Sequence, residues 1–115
     1  MPKLSITGLT MAAIHIAIVV YTLAQIFAAG AADWTFYWRI FLALDFPVSL
    51  AVVPLTWISP PVAGGPLHDF ANFWWPLFVH GVLGTLWWYI VGRMIGERVR
   101  RIWRRGSDKE EPPTP

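Results

Sequence analysis

Residues 6 to 29 (ITGLTMAAIHIAIVVYTLAQIFAA) run for 24 positions without Lys, Arg, Asp or Glu. About 20 apolar residues in a helix cross the hydrocarbon core of a bilayer. A chain of 115 residues has one small core at most, too small to bury such a run. The composition agrees: 56% of residues are hydrophobic and 14% charged, where a soluble domain carries roughly a quarter charged. The run Ala29-Gly30-Ala31 resembles a signal-peptide cleavage site. Against that reading, the apolar region is far longer than the usual ~7–15 residues, and only Lys3 precedes it.

Two further stretches have membrane character. Residues 34–58 (WTFYWRIFLALDFPVSLAVVPLTWI) read as a second span. Pro47 and Pro54 each remove a backbone donor and free a carbonyl one turn earlier, at Ala43 and Leu50, so a kinked helix is expected. Residues 59–67 (SPPVAGGPL) read as a loop, and Asp69 as the N-cap of the third helix. That helix spans 70–92 and continues as a basic extension over 93–105, with Glu97 and Arg101 four apart. The tail 107–115 (SDKEEPPTP) is polar and proline-rich, the composition of disorder. The expected fold is an all-α integral membrane protein: one domain over 1–106 with three transmembrane helices at about 6–29, 34–58 and 70–92.

Charge orients it. Six of the nine basic residues lie between Arg93 and Arg105, and between Lys3 and Arg93 the only other is Arg39. Positive residues stay on the cytoplasmic side. The C-terminus is then cytoplasmic, and three spans put the N-terminus outside a cytoplasmic (inner) membrane, with Lys3 against the rule. Trp57, Trp74 and Trp75 would mark the outer interface, Trp34 and Trp38 the inner one. Arg98, Arg100, Arg101, Arg104 and Arg105 suit anionic headgroups or an acidic partner. A nucleic-acid binder would carry its basic surface on a soluble scaffold, so nucleic acid is excluded.

Ionisable groups inside a span cost ~2.5 kcal/mol or more and mark candidate sites. This chain has His15, Asp45 and His80, which fall in one layer by residue count. Asp45, Ser49, Val52 and Thr56 follow helical spacing as one polar stripe, with Ser49 placed to bond Asp45 one turn away. Gly8, Ala12, His15, Val19, Thr22, Ile26 and Ala29 form a small-to-medium stripe on the first helix. Gly81, Gly84, Trp88, Gly92 and Gly96 form another on the third, a surface for close helix packing.

The bland reading of both histidines is a polar tie between helices. The sharper one is ligation of a haem or chlorophyll-type pigment by His15 and His80, since imidazole in an apolar, aromatic bundle holds such groups. No cofactor is expected on the first reading. Cys is absent, and with it any thiolate site; no nucleophile elbow or phosphate loop occurs either, so an enzyme acting alone is not expected. The leading expectation is a non-catalytic accessory or assembly subunit, with protein partners or copies of itself in the membrane. Alternatives are a cofactor-bearing electron-transfer subunit and, more weakly, an oligomeric proton-coupled transporter centred on Asp45.

Overall fold

The computed structural model describes residues 3–29, 34–58 and 65–107. Every element among them is helical. The chain forms α1 (Ile6–Ala29), α2 (Trp34–Leu44), a 3₁₀ turn (Val48–Ala51), α3 (Val53–Ile58) and then one unbroken helical rod. The rod consists of α4 (Pro66–Asp69), a π segment (Phe70–Trp74), α5 (Trp75–Phe78), a second π segment (Val79–Gly84) and α6 (Thr85–Ser107). α1 is long and apolar enough to cross a membrane.

α1 keeps the expected bounds because nothing in it breaks a helix. Gly8, His15, Val19, Thr22 and Ile26 of its stripe are buried, while Ala12 is half-buried and Ala29 exposed. It packs antiparallel to the rod. Phe27 meets Phe73 at the far end, with ring centroids 6.1 Å apart. His15 meets Thr85 midway, and Thr7 lies against Gly92 and Gly96 at the near end. The N-terminus therefore sits beside the beginning of the Arg cluster. Three spans of alternating direction would have made the first and third helices run the same way.

The reason is that residues 34–58 do not form one continuous helix. Trp38 stacks on His80 of the rod, and seven residues later Asp45 reaches Trp88. Then the chain reverses. Residues 45–47 form a turn with a cis Phe46–Pro47 bond, and the Trp75 indole donates to the Ala51 carbonyl at 2.9 Å. Trp75 and Trp88 are about 20 Å apart along a helix. The segment thus descends beside the rod, turns at Asp45 and climbs back. Ser49 ties the two arms, its hydroxyl donating to the Leu42 carbonyl at 2.8 Å. The proline kink becomes a hairpin because Pro47 cannot donate to Ala43, and the polar tip has partners waiting on both neighbouring helices.

The rod starts four residues earlier than expected, at Pro66, whose missing N–H costs nothing at a first helical position. Asp69 lies inside that first turn, not at the N-cap, which is Gly65. Around Pro76 the ladder loosens: Trp75 N–H bonds Phe70 five residues back. At the other end the helix runs through Gly106 to Ser107. Glu97 pairs with Arg93 (3.0 Å), not with Arg101.

Glycines bring α1 and α6 close. A Cβ at Gly8 would stand 2.8 Å from the Tyr89 carbonyl oxygen, and one at Gly92 2.8 Å from that of Thr7. A Cβ at Gly96 would meet the Thr7 hydroxyl at 2.7 Å. Gly8, Gly92 and Gly96 are thus spent on packing inside the chain. Trp38, expected at an interface, is 3% exposed in the core with Val19, Ile26, Phe41 and Phe73. The side chains of Trp34, Thr56 and Trp57, the loop 59–64, the segment 30–33 and the tail 108–115 lie outside the described residues.

Candidate functional site: a buried carboxylate between two imidazoles

The tip of the hairpin delivers Asp45 to the centre of the molecule, where it is 0% exposed. Its two oxygens face different helices. Oδ1 lies 2.8 Å from His15 Nε2 of α1, and Oδ2 lies 2.8 Å from His80 Nδ1 in the second π segment. The Trp88 indole N–H donates to Oδ1 at 3.1 Å. His15 and His80 are 2% and 0% exposed. The sequence placed these three residues in one layer, and the structure brings them into contact. The route differs, since the tip of a hairpin between antiparallel helices brings Asp45 there, not a continuous second helix.

Gly84 makes room for this. A Cβ there would stand 2.6 Å from Asp45 Oδ2, 2.9 Å from Asp45 Cγ and 3.1 Å from His15 Cε1. Gly81 is different: its nearest neighbours, Leu77 and Val19, are at 3.7 and 4.0 Å.

Hydrogen-bond roles count the protons. The Thr85 hydroxyl donates its one hydrogen to the Gly81 carbonyl at 2.6 Å. It can therefore only accept from His15 Nδ1, 3.0 Å away, so Nδ1 carries a proton. A second proton must lie between His15 Nε2 and Asp45 Oδ1, held by the pair jointly. His80 Nδ1 donates to Oδ2. The cluster is then neutral overall, which a low-dielectric interior tolerates.

Aromatic rings cover both imidazoles. Trp38 stacks on His80 (5.7 Å, 20°) and Phe41 tilts over it at 5.1 Å. Trp88 stacks on His15 at 6.4 Å, and Phe41 meets that ring edge-on at 5.8 Å. Two buried polar atoms have no hydrogen-bond partner among the described residues: His80 Nε2 and Trp38 Nε1. Sequence reasoning missed Thr85, Trp38 and Trp88 as members of the site. Trp88 lies four residues beyond Gly84 on the glycine stripe, which was the available signal. An apolar groove of about 220 Å³, lined by Met11, Ile14, Ile18, Leu44 and the edges of His15 and Trp88, opens beside the cluster.

Ser49 is buried but bonds Leu42, so the expected Asp45–Ser49 side-chain pair is not made. Both ring nitrogens of His15 are engaged, and axial ligation by it would break one of these bonds. His80 Nε2 is the one imidazole nitrogen of the cluster without a partner. Arg98, Arg100, Arg101, Arg104 and Arg105 are all exposed on α6, away from the cluster. Comparison with known protein families, with curated proteins and with solved structures finds no match to this chain.

Proposed function

We propose that this is a polytopic inner-membrane protein with two crossings and a re-entrant helical hairpin between them. It serves as a non-catalytic accessory or assembly subunit of a larger membrane complex. α1 is the first crossing and the rod, up to about Gly92, the second. Leu67, Phe70, Trp74, Phe78, Val82, Leu86, Ile90 and Met94 lie exposed at near four-residue spacing, an apolar stripe along the rod. Both termini are cytoplasmic. Lys3 then joins the Arg cluster on one side, and Arg39 is left as the basic residue on the other. The Arg cluster beyond Gly92 meets anionic headgroups. Arg39 near the outer end is exposed, with its guanidinium 5.9 Å from the Phe36 ring centroid, and snorkels to the outer interface.

One observation carries the subunit reading. The hairpin turns about half-way down the bilayer, and Phe46 (61% exposed) and Leu50 (55%) face outward there with Pro47. Irregular backbone at membrane depth persists where protein or a water-filled cavity covers it. The described residues leave this face of the turn open, and on this reading a neighbouring polypeptide covers it. Native mass spectrometry of the protein purified from its own membranes in mild detergent tests this. Co-purifying protein chains are expected, and a bare single chain would contradict the reading.

The unpartnered His80 Nε2 favours a second reading, a haem- or pigment-bearing electron-transfer subunit. It predicts a Soret band in the purified protein that is lost in His80→Ala, and a colourless preparation would sink it.

A further inference from the structure

We infer that the basic extension of α6 is a docking surface for an acidic amphipathic helix of another polypeptide. The inference rests on the proposed topology, which puts this extension in the cytoplasm beyond the second crossing. α6 is one regular helix over Thr85–Ser107, so each of its faces can be followed by spacing. The face that α1 covers carries Gly92 and Gly96, both against Thr7. It continues as Val99, Trp103 and Gly106, with Ile95 and Ile102 beside them. α1 begins at Ile6, and the described residues leave this continuation open. Val99 is 48% exposed, Ile102 69% and Trp103 75%. Ile102, Trp103, Gly106 and Ser107 line an open depression of about 340 Å³, which seats a side chain of a facing helix.

Charge selects the occupant. By helical spacing Arg98 and Arg105 line one edge of the apolar face and Arg100 the other. Among the described residues, Glu97 is paired with Arg93 at 3.0 Å, and these three flanking arginines make no ion pair. A second copy of the chain would bring the same arginines to the same edges, and like charges facing each other oppose association. The chain's own tail, 107–115 (SDKEEPPTP), has carboxylates but no large apolar side chain to bury the stripe.

A bilayer surface fits less well. The exposed stripe Leu86, Ile90 and Met94 continues at the same spacing as Arg98, Arg101 and Arg105, so the side of α6 turned to lipid becomes the basic one. To lay its apolar face on the membrane, the extension would have to bend toward α1 and cross the end of that helix. A helix lying on α6 in line with α1, apolar along its middle and acidic along its flanks, fits both the stripe and the arginines. It also covers an amphipathic face that otherwise stands in water, and packing of such a face supplies most of a helix's stability.

The test is photocrosslinking of the full chain in its own membranes. Benzoylphenylalanine is placed at Val99, at Ile102, at Arg104 on the opposite face and at Leu50 on the hairpin. Protein adducts are expected from Val99 and Ile102 and far fewer from Arg104, with the captured peptide acidic and of amphipathic helical pattern. Arg98→Gln together with Arg105→Gln is expected to lower the Ile102 yield severalfold. An Ile102 adduct to lipid, to a second copy or to the chain's own tail overturns the inference. So does a captured peptide without acidic residues, or a yield unchanged by the arginine variant. A protein adduct at Leu50 with none at Val99 and Ile102 overturns the inference and leaves the subunit reading standing, whereas no adduct at any of the three overturns both.

Discussion

Among the described glycines, Gly84 has the tightest surroundings. Its missing side chain is the space into which Asp45 and His15 reach, and a methyl there would overlap both. Gly84→Ala is therefore expected to cost about 1–3 kcal/mol, the usual range for overpacking a core. Gly81→Ala, with ordinary contact distances around it, is expected to cost little. Thermal unfolding of the two variants in detergent checks the contrast. Asp45→Ala removes the common acceptor of His15, His80 and Trp88 and leaves two buried imidazoles and a half-buried indole each without that partner. A loss of about 3–5 kcal/mol is expected, as for breaking a buried ion pair from one side. A loss below 1 kcal/mol would mean that Asp45 does not tie the helices.

Among the elements, α1 was fully legible: an uncharged run with no breaker has one way to fold. The shared layer of His15, Asp45 and His80 was legible too, because polar residues inside apolar runs are few and their positions can be counted. The hairpin was not. An apolar stretch of 25 residues with two prolines fits a kinked crossing as well as a fold-back, and local sequence does not separate them. What decides is tertiary: Asp45 gains two imidazoles and an indole by turning beside the middle of the rod. Charge did not separate them either, since Lys3 breaks the positive-inside rule in one arrangement and Arg39 in the other. The π segments had no sequence signal beyond Pro76.

Two tests belong to this scale. Ser49→Ala loses the bond that ties the hairpin arms and is expected to cost about 1 kcal/mol in the same unfolding assay. On α6, the hydrogen bond from Arg93, and then its charge, hold the Glu97 carboxyl below the ordinary carboxylate range. A lowered value stabilises the fold above the ordinary range, and that contribution is lost as pH falls through the lowered value. Both groups are solvated, so Glu97→Gln is expected to leave stability at neutral pH nearly unchanged and the small difference to vanish in high salt.

For the whole molecule, the rod of 42 residues, about 62 Å long at the standard helical rise, outruns α1 at its basic end. That end carries five exposed arginines beyond Gly96. Binding to liposomes containing anionic lipid is expected to weaken as salt rises and as these arginines are replaced by glutamine. Unchanged binding would remove the lipid role from the cluster.

On the proposed topology, Lys3 and Ser107 share a side of the membrane. The natural sequence has no cysteine, so single cysteines report position without background. The decisive measurement is labelling of Lys3→Cys, Gly65→Cys and Ser107→Cys by a membrane-impermeant maleimide in vesicles of known orientation. Lys3→Cys and Ser107→Cys are expected to react from the cytoplasmic face and Gly65→Cys from the opposite one. Lys3→Cys reacting from the same face as Gly65→Cys would contradict the antiparallel pairing of α1 with the rod, and with it the re-entrant hairpin.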